Sequence, residues 1–467
     1  MKRSWVRFPS SPPREARGGT GEPLRVQGPE IEQFARAGSR ALLRNPVRAS
    51  NSVAGRRMKI IVVGAGMGGL TTAMALHDVG HDLTVYEAVR EVTALGVGIN
   101  VLPHAMGVLD GLGLLDTLEP LAIPTSELCF FNRHGQMIWR EPRGRLAGYP
   151  VPQLSIHRGT LQMTLLEAAR ARLGSNSIRT GLALRSFTTG SATERPTVEL
   201  ENRADGTTVH DRADVVIAAD GIHSVVRNTF YPDQGLPHWS GNLLWRAITV
   251  AKPFLTGRSM FMAGYLKHKF VAYPISEPDV DGNQLINWIA ELDCREQGLS
   301  GREDWNKRVD KSVFAERFKD WTFDWLDVAG LIEGAEAVYE FPMVDRDPLP
   351  LWSHGRVTLL GDAAHPMYPV GSNGASQAIL DARAIADELT LVADVPTALA
   401  AYEERRRSAT AQIVLNNRKH GPEVVMDRAE ERAPNGFSNI ADVFAPGELE
   451  EVSATYKQVA GFARPTS

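Results

Sequence analysis

The stretch Ile60–Leu76, IIVVGAGMGGLTTAMAL, sets Gly64, Gly66 and Gly69 in a G-x-G-x-x-G spacing, and an acid, Glu87, follows the first glycine by 23 residues. These residue types suit one task. Gly64 permits a tight turn, Gly66 lets the backbone approach a pyrophosphate, and Gly69 lets a helix pack closely on a strand. The helix that starts here offers unpaired N–H groups and the positive end of its dipole to an anion. Glu87 is placed to accept hydrogen bonds from the ribose hydroxyls of an adenosine. The pattern implies a dinucleotide site but does not separate NAD from FAD.

The elements that must hold this motif are legible around it. MKIIVVGAG reads as a β-branched, buried strand ending in glycine. Leu70, Ala73, Met74 and Leu76 mark a helical face that Gly80 ends, and DLTVYE is a second strand. ADVVIAADGIHSVVR is a further buried strand running into Asp220-Gly221. GRVTLLGDAAHPMYPVGSNGASQAILDA is another; it ends at Gly361-Asp362 and crosses a Pro- and Gly-rich loop into a helix predicted over 375–392, with Ala378, Ile379, Ala382, Ile385 and Leu389 on one face. Strands and helices in this alternation predict an α/β class.

The pattern changes over 237–341. LLWRAITV, SMFMAGYL, FVAYPIS and QLINWIAEL are β-like in succession, with turns such as PDVDGNQ between them, and predict an antiparallel sheet. Aromatics punctuate it at Trp245, Phe261, Tyr273 and Trp288. A ligand chamber wants apolar walls with few polar anchors, and Tyr273, Met343, Pro366 and Tyr368 are its expected lining. DWNKRVDKSVFAERFKDW predicts a helix with a solvated charged face. LAAYEERRRSATAQIVLNNR predicts another, with i,i+4 Glu–Arg pairs on a wet face. The expected division is 58–236 and 342–425 for the dinucleotide domain, 237–341 for the sheet, and 426–467 for a C-terminal tail that closes the pocket or aids a homodimer.

Composition narrows the class. The chain has 467 residues, 43% hydrophobic and 23% charged, as an ordinary globular protein has. A net charge of −4 gives no argument for nucleic acid or an anionic membrane. No long apolar run free of glycine and charge occurs, so no membrane span is expected. Two distant cysteines, Cys129 and Cys294, lack metal-ligand spacing and fit a reducing, cytoplasmic setting. The first 57 residues differ: eleven Arg and one Lys stand against four Glu. They read as a disordered extension outside the fold, with Met58 just before the first strand; a transit peptide or a nucleic-acid- or partner-binding tail are the alternatives. Neither a Ser–His–Asp nor a Cys–His signature nor a metal cluster is present in the sequence, and His365 in GDAAHP reads as a brace for its turn.

G-x-G-x-x-G first, D-G in the middle and G-D late resemble the single-component flavoprotein aromatic hydroxylases over roughly residues 58 to 425. LGVGINVLPHA, SIHRGTLQMTLL, LLWRAIT, FPMVDRDPLPLW and MYPVGSNGASQAILDA are similar to the phenazine hydroxylase branch of that family, which acts on methylated phenazine carboxylates. The resemblance implies a Rossmann-like FAD-binding domain with an inserted antiparallel-sheet substrate domain. It assigns the ADP half of FAD to Gly64, Gly66, Gly69 and Glu87, and the diphosphate and ribityl chain to Arg158 and Asp362. It implicates Asp220 and Gly221 in both FAD and nicotinamide handling. The loop 366–374 should lie beside the isoalloxazine, where Gly371 and Gly374 let backbone N–H groups come close, and the next helix should point its N-terminus at the flavin's pyrimidine edge. The implied reaction takes NADH or NADPH, molecular oxygen and a small aromatic substrate through a flavin hydroperoxide, without a side-chain nucleophile, and loses carbon dioxide if the attacked carbon carries a carboxylate. A salicylate or phenol hydroxylase, or a non-catalytic flavin redox sensor, are the alternatives. A flavin halogenase should show W-x-W-x-I-P, which is missing. One departure is TALGVGIN, which carries no Arg where many relatives have one.

Overall fold

The structure, a computed structural model, describes residues 57–459 apart from Leu95, Ala192, 299–306 and His420. The extension expected over 1–57 lies, but for Arg57, outside the described residues.

The parallel sheet is built from runs that bury nearly every side chain. Its strands are β1 (Lys59–Val63), β2 (Asp82–Glu87), β3 (Ile178–Thr180), β4 (Val215–Ala218), β5 (Ser353–His354) and β6 (Val357–Leu359). Their spatial order is β5-β6-β4-β1-β2-β3, and every pairing is parallel except β5 with β6. The glycine turn, Asp220-Gly221 and Gly361-Asp362 therefore all stand at the C-terminal ends of adjacent strands β1, β4 and β6. That edge is where an open α/β sheet presents its ligand crevice.

Four helices carry the sheet: α1 (Met67–Asp78), α2 (Arg158–Leu173), α3 (Gly374–Leu391) and α4 (Val395–Asn417). α1 packs against both α2 and α3. The five α3 residues expected on one apolar face are all buried. α4 differs from its expected wet face. Arg407 does pair with Glu403 at i,i+4, 3.2 Å, but Arg406 turns inward to Asp381 and Arg405 reaches Asp387 and Glu388 of α3.

The second sheet has eight strands in the order 308–309, 338–345, 238–251, 284–293, 268–274, 259–265, 127–131, 137–142. Its pairings are antiparallel except one: Ser259–Tyr265 runs parallel to Glu127–Phe131. Two of its strands thus come from inside the 58–236 stretch. One face holds Trp245, Phe261, Phe270 and Trp288 packed on Phe314, Phe318 and Trp321. The helix expected over 304–321 is replaced, where residues are described, by the edge strand Arg308–Val309 and two short 3-10 turns, Lys311–Val313 and Ala315–Phe318. Phe314 and Phe318 are buried under the sheet, so this segment is a lid on the core and not a solvated helix. The other face carries Met260, Met262, Val271 and Tyr273 and meets α5 (Val424–Arg432) and α6 (Glu448–Val459) through Val425, Met426, Ala429 and Leu449. Among the described residues no helix is long and apolar enough to cross a membrane.

Candidate functional site

A cavity of about 400 Å³ runs from the glycine turn to the second sheet. Its first half is backbone. Gly64 takes φ +105°, and a Cβ there would lie 2.3 Å from the Ala219 carbonyl oxygen just past β4. Gly69 faces inward, where a Cβ would meet the Gly64 oxygen at 2.0 Å. Gly66 is the opposite case: its Cβ position meets nothing within 4 Å, and the residue lines the cavity. Gly66 also opens α1 with no side chain capping it. Glu87 accepts from the Ala65 N–H, 2.7 Å, and the Val89 N–H, 2.9 Å, which fixes its carboxylate beside the turn.

The middle of the cavity is charged. Arg158, the first residue of α2, and Asp362, just past β6, both line it. Neither side chain has a hydrogen-bond partner among the described residues. Burial raises the Asp362 carboxyl, against the lowering pull of His365 and Arg158. α3 starts here at Gly374 without a side-chain cap. Gly221 lines the cavity, whereas Asp220 does not. Asp220 accepts from the Val225 N–H, 2.8 Å, at the start of a short helix, and its Oδ1 is buried without a partner. Gly371, at φ +66°, faces away: a Cβ there would strike the Tyr456 hydroxyl at 1.9 Å.

The far half is the sheet face. Leu244, Met260, Met262, Val271, Ile289 and Met343 form apolar walls. Tyr273 and Met343 line the cavity. Pro366 is buried and Tyr368 packs with Leu244, Met343 and Val370, so neither lines it; Met367 and Pro369 of the same loop do. The polar anchor is a residue that sequence reasoning passed over. Arg246 projects into this half, gives its Nη2 to the Gly98 carbonyl at 2.8 Å, and lies over the Phe341 ring at 5.7 Å. No carboxylate among the described residues pairs with it. Burial lowers its pKa, and the Arg158 charge adds to that, while Tyr273 opposes both. Gly98 is held by Asn287 Oδ1, which accepts from its N–H at 2.6 Å. The signal was present: one cation in the centre of the apolar strand LLWRAIT.

His365 is a brace. Its N–H donates to the Gly361 carbonyl, 2.8 Å, and its Nε2 lies 2.6 Å from Asp381, which also pairs with Arg406 at 2.7 Å and accepts from the Gly361 N–H at 3.0 Å. Burial would raise the Asp381 carboxyl, but His365 and Arg406 outweigh it and hold it at about 2. An unfolded aspartate titrates near ~3.9, so the folded protein binds fewer protons and Asp381 contributes stability above that value, lost as pH falls towards about 2. Asp381→Asn should cost about 3 kcal/mol in urea unfolding at neutral pH. That deficit should shrink as pH falls from about 4 to about 2; a deficit that stays constant would show that the charge is not what braces the loop.

Fold and site together define a dinucleotide-binding enzyme whose cofactor crevice opens into an apolar chamber. The chain belongs to the FAD binding domain family, whose profile matches residues 57–417. It is 45% identical over 363 residues to phenazine 1,6-dicarboxylic acid hydroxylase of Lysobacter antibioticus, covering 77% of this chain and 89% of that one. It is 34% identical over 375 residues to a 3-amino-4-hydroxybenzoate 2-monooxygenase of Streptomyces platensis, covering 79% and 88%. In fold it is similar to HpxO of Klebsiella pneumoniae solved with FAD and uric acid, with a TM-score of 0.65 at 22% identity over 86% of this chain and 93% of that one. The residues present fit FAD. Gly66 leaves a Cβ-sized opening at an uncapped helix start, an arginine and a carboxylate without hydrogen-bond partners follow, and a second uncapped helix start closes the row.

Proposed function

We propose that the chain is an FAD-dependent monooxygenase that hydroxylates an aromatic carboxylate with NADH or NADPH as reductant. One observation carries this reading: a single cavity joins the glycine turn to an apolar sheet face whose half-buried arginine has no carboxylate partner among the described residues. Bound FAD, once reduced, supplies the activation of molecular oxygen for transfer to a ring. The chain does the rest. Gly66 and the start of α1 hold the diphosphate, Glu87 the adenosine ribose, and Arg158 and Asp362 the linking chain. The start of α3 stabilises negative charge on the flavin edge. Arg246, with Tyr273 beside it, takes the substrate carboxylate and fixes which carbon faces the flavin. The walls Met260, Met262, Val271 and Ile289 exclude water, which keeps activated oxygen from being wasted. No acid–base side chain is assigned. Hydroxylation with loss of carbon dioxide, on a phenazine carboxylate, is the finer form of this proposal. Residues 237–341 supply most of the substrate sheet.

The test is oxidation of NADH and NADPH by the FAD-loaded protein in an oxygen electrode, with phenazine-1-carboxylate, its methylated form, salicylate and 3-hydroxybenzoate. The expected result is stimulated oxygen uptake with one ring carboxylate and a product heavier by one oxygen, or with hydroxyl in place of carboxyl. Bound FAD with no stimulation by any ring would sink the reading and leave a redox sensor.

A further inference from the structure

The far end of the substrate cavity is closed by three buried charges. Lys269, Glu291 and Glu423 all line it and are 2%, 2% and 6% exposed. Lys269 and Glu291 are directly opposed across neighbouring strands, with Nζ to Oε2 at 2.9 Å. Glu423 enters from the turn between α4 and α5 and pairs with the same ammonium. Asn242 donates to the other oxygen of Glu291 at 2.6 Å. Two carboxylates therefore share one ammonium, and the wall has surplus acceptor capacity.

A buried ion cluster is a weak way to stabilise a fold, because desolvating three charges offsets their attraction. A wall of Met and Val would close the sheet as well. Charges kept on a cavity wall are better explained by what the cavity takes. The spacing defines it further. Tyr273, Val271 and Lys269 alternate on one face of one strand, so Tyr273, which the Arg246 guanidinium meets, and the far cluster are four residues, about 13 Å, apart. The row between them carries Val271, Ile289 and Met262, and the stem of Arg246 rises from the same row. A single benzene ring held at Arg246 would leave the far wall untouched. A fused polycyclic ring spans it.

Resting on the hydroxylase reading above, we infer that Glu423 and Glu291 are specificity-determining residues: they select a fused-ring substrate whose end distal to its carboxylate presents a hydrogen-bond donor, and they reject one with a second carboxylate there. A distal donor meets an acceptor in a desolvated wall, whereas a distal carboxylate meets two others, and the low local dielectric sharpens both effects. Burial pulls Lys269 down, but the two carboxylates outweigh it and hold it charged. Burial raises Glu423, and the nearby Glu291 and Asp427 raise it further while Lys269 opposes.

The test uses the FAD-loaded full chain and two probes: phenazine-1-carboxylate bearing an amino group on the distal ring, and phenazine-1,6-dicarboxylate. Binding is read from perturbation of the flavin absorbance, and turnover from oxygen uptake. The amino compound should bind more tightly by about tenfold or more, the worth of a hydrogen bond to a charged group. Glu423→Gln should remove most of that preference, chiefly by improving the dicarboxylate, with FAD content and urea midpoint near wild type. Equal binding of the two probes to the wild type would overturn the inference. So would a Glu423→Gln variant that weakens both alike while losing stability, since that marks a strut for the α4–α5 turn. If neither probe nor any smaller ring carboxylate perturbs the flavin, the hydroxylase reading itself falls, and this inference with it.

Discussion

Gly69→Ala is expected to cripple the fold, whereas Gly66→Val is expected to fold and fail to hold FAD. The two glycines stand three residues apart in one motif, and the structure gives them opposite surroundings. A Cβ on Gly69 would sit 2.0 Å from the Gly64 carbonyl oxygen, and that atom belongs to the backbone of the turn. The turn cannot yield without moving β1 away from β4, where Gly64 already lies against the Ala219 carbonyl. Overpacking of this kind costs about 3 kcal/mol. A Cβ on Gly66 would meet nothing within 4 Å, and its backbone is extended at φ −73°, so a valine is tolerated by the protein alone. Its side chain would fill the approach to the N–H groups that open α1. The expected loss is about a hundredfold in FAD affinity, or about 2.8 kcal/mol. Urea unfolding of the apoproteins and flavin content after reconstitution separate the two effects. A Gly66→Val protein that retains FAD would refute the placement of the diphosphate.

What could be read from the chain follows the range of the interactions. The turn, α1 and the ends of β1, β4 and β6 depend on local spacing and on buried β-branched runs, so the crevice could be placed from the sequence. The chamber could not be placed fully. Its sheet recruits Glu127–Phe131 beside Ser259–Tyr265, a pairing between segments over a hundred residues apart that no local pattern announces. The misread helix over 304–321 has a plain cause. Phe314, Phe318 and Trp321 fall at i, i+4 and i+7, a helical period, and an irregular segment around two short 3-10 turns buries the same three residues. Arg405, Arg406 and Arg407 read as one wet stripe, yet successive helical residues point about 100° apart, so the middle one reaches Asp381. Tyr368 was placed on the cavity by its nearness to the flavin loop. A bulky ring on a tight loop packs where there is room, and here that is under Leu244 and Met343. Lys269 and Glu291 were invisible because each is one charge in a strand, and a strand tolerates that on a wet face. Only their register across the sheet shows that they meet indoors.

Arg246→Met should lose the substrate and keep the fold, and that combination is diagnostic. Arg246 is a half-buried cation whose one direct hydrogen bond to the backbone, among the described residues, is to Gly98, and burial disfavours its charge. Replacing such a charge by an apolar chain of similar length is often neutral or stabilising. Urea stability of the variant should therefore lie within about 1 kcal/mol of wild type. With substrate bound the balance reverses. A carboxylate drawn into the apolar chamber has Arg246 as its cation and Tyr273 as its neutral donor, and leaving it unpaired there costs about 3 kcal/mol, or somewhat over a hundredfold in kcat/KM. The same ring as its primary amide carries no charge to strand, so its much weaker turnover should change little. Comparing kcat/KM for acid and amide in both proteins isolates the charge from the shape. A variant that loses acid and amide alike would make Arg246 a wall of the chamber; one that loses FAD would tie it to the cofactor. If only the acid is lost, Arg246 is the reason that this chamber takes a carboxylate, and the strand that carries it sets the carbon presented to the flavin.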